Sequence, residues 1–212
     1  YKVTGVQTCA LPICTWQRAF PELFQPLAAM PQPLLRHIRV PISQFEIQTE
    51  RLLRYHVTDV RTFYNGDDVW AVPLEIYGNS NVPVQPYYVT LQLQKGYPSE
   101  FVLLLPFTPL KRTNLVAWLV ARNDAPHYGE LVLARLPQQR LLLGPQQISA
   151  LVDQDPTISL QFGLWNRLGS RLFRGNMLIL PVGQGLLYVE PIYLQSKSND
   201  LPTLVRVVVT DG

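Results

Sequence analysis

The apolar and polar positions are patterned most densely between Ile148 and Leu194, ISALVDQDPTISLQFGLWNRLGSRLFRGNMLILPVGQGLLYVEPIYL, and they predict a helix that feeds a hairpin. Asp155 followed by Pro156 puts a capping carboxylate ahead of a proline at the first helical position, where a missing N–H costs nothing. Gly169 supplies a left-handed stop, so the pattern predicts a helix over 156–168. On its wheel Ile158, Phe162 and Trp165 share one stripe and Leu160, Leu164 and Leu168 the next. Only Ser159, Gly163 and Asn166 remain on a narrow polar strip, which predicts a mostly buried helix. MLILPV and LLYVEPIYL then flank Gly183-Gln184-Gly185, the punctuation of a hairpin between strands 176–182 and 186–194.

The same reading extends along the rest of the chain. Trp16, Phe20, Leu23, Phe24 and Leu27 recur at helical spacing, interrupted by Pro21 and Pro26, and predict a broken, packed helix over 15–30. Ser43 and Glu46 form a capping box, with Ile42 and Ile47 as its hydrophobic staple, and open a helix that runs to about Tyr55. Thr58-Asp59 starts a short helical turn through Phe63 and Tyr64, which Asn65-Gly66 stops. From Asp67 the character becomes strand-like. VWAVPLEIY predicts a strand, GNSNVPVQP a loop, and YYVTLQL with EFVLLLPF a hairpin over 87–107. Asn114 reads as the cap of a helix over 115–123, LVAWLVARN, with Leu115, Trp118 and Leu119 on one face. GELVLARLP and RLLLG predict one long strand or two short ones, and GPQQISALVDQD a further helical turn. LVRVVVTD predicts a final strand inside the sheet.

The expected fold is α+β: a mostly antiparallel sheet of hairpins, covered by the helices at 115–123 and 156–168, with an N-terminal helical portion. The portions are 15–66, helical, and 67–212, sheet-rich and truncated at its C-terminal end. No polar, flexible linker separates them. Both ends of the chain read as cut, so it is expected to be a fragment of a larger protein. Residues 3–13, VTGVQTCALPI, resemble translated sequencing adapter; residues 1–14 are read as an artefact and set aside from fold reasoning. Both cysteines, Cys9 and Cys14, fall within that stretch, so they support no disulfide or thiolate chemistry.

Composition changes this picture little. The 212 residues are 47% hydrophobic and 16% charged, an ordinary globular balance, while 19 prolines imply many breaks between short elements. A net charge of +3, with the basic residues scattered, offers no stripe to track a phosphate backbone, so no nucleic-acid partner is expected. No window reaches the roughly 18 apolar residues of a membrane helix.

Candidate chemistry is sparse. His37, His56 and His127 are too far apart to suggest a local metal site, and neither a G-x-S-x-G elbow nor a phosphate loop is present. Asp153 and Asp155 could form an acid/base pair, but Asp155 is already explained as a helix cap. Tyr87, Tyr88, Trp165, Tyr188 and Tyr193 could line a sugar-binding groove, although aromatics on strands and buried helices are more often core. No catalytic residue, metal or cofactor is assigned. Candidates for a polar pocket are Asp155, Asn166, Arg171, Arg174 and Glu190. Glu190 is the one charge within LLYVEPIYL and shares a strand face with Tyr188 and Ile192. It therefore needs a partner, drawn from Arg171, Arg174 or Arg206, with a Tyr hydroxyl as the fallback.

Several segments carry a resemblance: LFQPLAAMP, RYHVTDVRTFYNGDDVW, PFTPLKRTNLVAWLVARND, YGELVLARLP, GPQQISALVDQDPTISLQFGLWNRLGS, and RGNMLILPV followed by LLYVEPIYLQ. From about Phe20 onward the chain resembles uncharacterised protein family 0182, large bacterial proteins with no established catalytic set. The resemblance implies a multipass membrane protein, of which this chain would be part of the soluble extracytoplasmic region. Two functions follow as expectations. One is a non-catalytic ectodomain at the cell membrane that binds an envelope partner or its own transmembrane segments. The other is part of an envelope hydrolase or transferase whose site is completed by sequence outside this chain. A cleft with two or more carboxylates would favour the enzyme, and a filled core with an exposed apolar face the ectodomain.

Overall fold

A computed structural model describes residues 2–3, 11–93, 96–137, 139–167, 169–183, 185–196 and 199–211, with side chains from Thr15 onward except those of 199–200. The elements in chain order begin with β1 (Lys2–Val3), α1 (Leu11–Ala19), a 3-10 turn (Leu27–Ala29), α2 (Gln32–Leu35), α3 (Ile42–Tyr55) and α4 (Val60–Asn65). Then come β2 (Trp70–Ala71), β3 (Leu74–Tyr77), β4 (Ser80–Pro83), β5 (Tyr87–Leu91), β6 (Glu100–Pro109), β7 (Ala117–Arg122) and β8 (Leu131–Arg135). The chain continues through α5 (Pro145–Gln154), α6 (Pro156–Trp165), β9 (Ser170–Arg174), β10 (Leu178–Val182), β11 (Gly185–Ser196) and β12 (Asn199–Thr210). Every strand pair among the described residues is antiparallel, and the fold is α+β.

The first sheet orders its strands β1-β8-β7-β6-β2, with β5 also paired to β6. Its centre is buried on both faces, and alternation divides the side chains between two cores. Val102 and Leu104 of β6, with Trp118 and Val120 of β7, enter the core shared with α5, α6 and the second sheet. Leu103, Leu105 and Phe107, with Ala117, Leu119 and Ala121, enter the core closed by Phe45 of α3 and by Trp70. This double burial corrects the helix expected at 115–123. LVAWLVA is apolar at every position because each position faces one core or the other, and such a run fits a central strand as well as a buried helix. Asn114 caps nothing; its amide donates to Leu142 O and Gln147 Oε1.

The second sheet has β11 at its centre, with β12 along one side and β9 and β10 end to end along the other. β10 and β11 pair from Leu178↔Val189 to Val182↔Gly185, and Gly183 adopts the left-handed φ of 62° that the turn needs. Gln184 of that turn lies outside the described residues. A third, two-stranded sheet pairs β3 with β4. It corrects two readings: VWAVPLEIY is split at Pro73 into strands of different sheets, and GNSNVPVQP contributes a strand rather than a loop alone. Pro lacks the N–H that would carry one ladder through both.

Other local expectations also shift. α3 begins at Ile42 behind an N-cap Pro41 with no side-chain capping bond, so Ser43 and Glu46 form no capping box and both Ile42 and Ile47 are exposed. The helix after Gly144 runs the full ten residues of α5 rather than a turn, and RLLLG forms no strand. Asp59 caps α4 through Thr62 N, and Gly66 ends it in the left-handed conformation. Trp16, Phe20, Leu23, Phe24 and Leu27 are exposed rather than packed. α6 ends at Trp165; its first stripe, Ile158 and Phe162, packs on the core, but Leu160 and Leu164 of the second are exposed. Leu168 lies outside the described residues. β12 is an edge strand and not an interior one, with β11 its only partner among the described residues.

A close approach fixes the start of α5. A Cβ on Gly144 would lie 1.9 Å from the carbonyl oxygen of Thr113, and the backbone there must move to admit it. Gly144→Ala should cost about 1–3 kcal/mol, measured as a lower urea midpoint at unchanged slope.

Candidate functional site

The densest buried charge forms where β9 gives way to β10. Arg174 ends β9, and its guanidinium donates from Nε to Glu190 Oε1 at 2.8 Å and from Nη2 to Glu190 Oε2 at 2.7 Å. This bidentate geometry is what a planar guanidinium and a carboxylate favour. The third arm, Nη1, donates to Asp153 Oδ1 of α5 at 2.8 Å. Arg174 and Glu190 are 5% and 2% exposed, whereas the Asp153 side chain is half exposed. The ring of Phe162 lies 5.9 Å from the guanidinium carbon and helps to close the cluster from the α6 side.

A second carboxylate sits beside the first. Glu75 of β3 is 1% exposed; its Oε1 accepts from Asn176 Nδ2 at 2.9 Å and its Oε2 from the Met177 N–H at 2.6 Å. These donors come from the Gly175–Met177 link, where the strand ladder is interrupted and backbone groups need partners. Gly175 is forced by contact: a Cβ there would meet Pro191 Cγ at 2.7 Å and Tyr193 Cε2 at 2.9 Å. Burial pushes the Glu75 carboxyl above its ordinary value of 4.5, against the two hydrogen bonds, and the charge of Glu190 adds to the rise. Burial also raises Glu190, against the opposing hydrogen bond and charge of Arg174.

The five sequence candidates separate. Arg174 and Glu190 meet as an ion pair. Asp155 caps α6, accepting from Thr157 N and Ile158 N. Asn166 ends the same helix and accepts from Leu172 N, while Arg171 is exposed on β9. Arg206, the third possible partner of Glu190, lies over Trp165 instead. Sequence reasoning missed Glu75 and Asn176. Glu75 had a signal, being a lone charge in an apolar strand, LEIY, like Glu190 in its own; Asn176 had none.

Three of the five aromatic candidates, Tyr87, Tyr88 and Tyr188, act as pins. The Tyr87 hydroxyl donates to Ile179 O at 2.7 Å and ties the two larger sheets together. Tyr188 donates to Leu143 O and Tyr88 to Val40 O, so none of these three presents its hydroxyl to a groove. Burial raises the Tyr188 phenol to about 12. His56 stacks on Trp70 at 3.5 Å with its Nδ1 2.7 Å from Leu52 O, while His127 lies 3.3 Å from Glu130. No group of three or more metal-capable side chains occurs among the described residues. Two open depressions of about 410 Å³ each lie elsewhere. One is lined by Pro73, Thr108, Lys111, Arg112 and Gln146, the other by Ser159, Leu160, Gly163 and Leu164 of α6. Glu75, Arg174 and Glu190 line neither.

Together these features define an α+β unit of antiparallel sheets held around a largely buried ion cluster, with Glu75 and Glu190 bonded internally and Asp153 half exposed at its rim. The chain belongs to the uncharacterised protein family UPF0182, whose family model matches residues 12–165. It is 59% identical over 197 residues to a UPF0182 protein of Synechococcus sp. (strain CC9311), covering 93% of this chain and 21% of that protein. The similarity to UPF0182 protein P9303_14611 of Prochlorococcus marinus (strain MIT 9303) is 58% over 200 residues, 94% of this chain and 21% of the relative. UPF0182 protein alr1037 of Nostoc sp. (strain PCC 7120 / SAG 25.82 / UTEX 2576) is 55% identical over 197 residues, 93% of this chain and 20% of its own length. The chain thus spans about a fifth of the relatives it matches and is a fragment by comparison with them. No solved structure matches.

Two outcomes test the cluster. Glu190→Ala should cost about 3 kcal/mol or more in urea unfolding, because it leaves a buried guanidinium with only the Asp153 contact. An unchanged midpoint would show that the pair contributes nothing. Glu75 gives a pH signature. Its folded pKa lies above the unfolded one, so its contribution is fully present below the unfolded value of about 4.5 and is lost as pH rises through the folded value. Raising the pH from 4 to 8 should therefore destabilise the parent relative to Glu75→Gln; parallel curves would contradict the raised carboxyl.

Proposed function

We propose that this chain is a non-catalytic part of the soluble, extracytoplasmic region of a bacterial membrane protein, built for assembly with other parts of the envelope. The observation that carries the reading is the contrast between closed charge and open apolar surface. The buried carboxylates are consumed by Arg174, Asn176 and the Met177 N–H, while Phe20, Leu23, Leu160, Leu164, Val207 and Val209 are exposed. The β12 valines share a sheet face with Leu178 and Val189, and apolar surface gathered in that way marks a place where something else sits. A hydrolase or transferase would need its acid and base at a cleft that admits substrate, and Glu75 and Glu190 are sealed from solvent.

The membrane setting is supported by the resemblance described above. No helix among the described residues is long and apolar enough to cross a membrane. The partners on this reading are the protein's own membrane-spanning segments and a further envelope component, not nucleic acid.

The location is tested with the full-length family protein in a bacterial host. Alkaline phosphatase, which folds only outside the cytoplasm, and a fluorescent protein, which matures inside it, are inserted separately after the position of Thr210. The expected result is an active phosphatase and a dark fluorophore. The reverse pattern would overturn the extracytoplasmic reading.

A further inference from the structure

The second sheet is sealed on one face and open on the other. Along β11, Leu186, Tyr188, Glu190 and Ile192 are buried, while Leu187, Val189 and Pro191 are only half-buried. Residues directly opposed in an antiparallel pair share a face. Leu178, Val189 and Val209 therefore form one apolar row across β10, β11 and β12. Leu180 with Leu187 forms another, and Val207 stands opposite Pro191 on the same face. None of these leucines and valines belongs to either core, and Val207 and Val209 are 48% and 55% exposed. An antiparallel sheet with one solvated face carries polar side chains there, and this one carries leucine and valine.

The outer edge of the sheet points the same way. The Pro191 carbonyl accepts from Gly175 N, so Pro191 directs its main chain toward the β9–β10 side, and by alternation so does Val189. Their opposites on β12, Val207 and Val209, consequently direct their N–H and C=O groups away from β11, along the free edge. Open face and open edge coincide at these two valines. The features of β12 that keep edge strands apart, Pro202, the register shift between Leu204 and Arg206, and the Arg206 charge, all precede Val207, and from Val207 to Thr210 the edge carries no charge.

We infer that a segment of the same polypeptide, from the part of the full-length protein outside these 212 residues, adds a strand at Val207–Val209 and covers the row through Leu178 and Val189. The matched relatives carry most of their length outside the region they share with this chain, so the covering layer is available within one molecule. A tethered segment meets the edge at an effective concentration on the order of millimolar and needs no charge to steer it. The uncharged character of the patch fits that occupant better than one arriving by diffusion. The inference builds on the assembly reading but not on the side of the membrane. A reporter result placing the region in the cytoplasm leaves it intact, and its own failure leaves the location intact.

The test is photo-cross-linking in the full-length protein. A benzophenone side chain is placed at position 209, and separately at 207, and the cells are irradiated before purification. The expected product runs at the mass of the single chain and joins the labelled position to a peptide outside this region. A product of doubled mass would mean a second copy, a larger hetero-product another protein, and a lipid adduct a membrane surface; each overturns the inference, as does the absence of any adduct. Should the substitutions disturb folding, amide exchange on the unaltered full-length protein replaces them. The Val207 and Val209 amides are expected to exchange about tenfold or more below the unprotected rate, and free exchange would overturn the added strand.

Discussion

The bidentate pair between Arg174 and Glu190 sits where the strand neighbouring β11 is interrupted, and much of the second half of the molecule depends on it. At Gly175–Met177 the ladder stops, and backbone groups that would otherwise bond to β11 need other partners. Gly175 N keeps one bond to β11 at Pro191 O, Glu75 of β3 takes the Met177 N–H, and Arg174 reaches across the gap to Glu190 while its third arm holds Asp153 of α5. One guanidinium thus relates β9, β11 and α5, and Glu75 adds β3 through the same link. Burying these charges is expensive, and the arrangement is tolerable because the arms of Arg174 and the oxygens of Glu75 and Glu190 are matched to partners.

Around that cluster the two larger sheets solve burial differently. The first is covered on both faces, by α3 and Trp70 on one side and by α5, α6 and the second sheet on the other. The second sheet is covered on one face only, yet around β10 and the first half of β11 its open face is as apolar as the strands of the first. Leu178, Leu180, Leu187 and Val189 have the composition of strands buried twice. The sequence of β10 and β11 is therefore suited to a thicker structure than these 212 residues make, which agrees with their being a fifth of the relatives' length.

Legibility followed how many contexts a pattern allows. Asp155-Pro156, Asp59 and Gly66 act locally, and their capping roles were readable because a cap needs only its own turn. The β10–β11 hairpin was readable from its glycine punctuation and from an alternation that places Glu190 with Tyr188 and Ile192. LVAWLVA was misread because uniform apolarity carries no period, and only the tertiary position of β7 between two cores decides it. α6 was misread in the opposite sense: its second apolar stripe predicted burial, but no described residue covers Leu160 or Leu164. In the site, Arg174 could be shortlisted from chain neighbourhood, whereas Glu75 and Asn176 are 101 residues apart and no local pattern joins them.

The cluster also explains why the register of β11 is fixed despite its apolar content. Because side chains alternate, slipping the strand by one residue would turn Glu190 outward and bring Val189 and Pro191 against Arg174. For the leucines the exchange is nearly neutral, since Leu187 could replace Leu186, although Val189 in place of Tyr188 would leave a cavity and lose the bond to Leu143 O. For Arg174 it is not, because a guanidinium 5% exposed would be left with the single Asp153 contact. A sheet apolar on both faces has little else to distinguish inside from outside. The ion pair supplies that distinction at one position, and the Tyr87 and Tyr188 hydroxyls, each bonded to a carbonyl of another element, supply it at two more. The polar groups buried here are therefore best understood as register marks for a sheet that is apolar on both faces around β10 and the first half of β11, and that role accounts for them without a substrate.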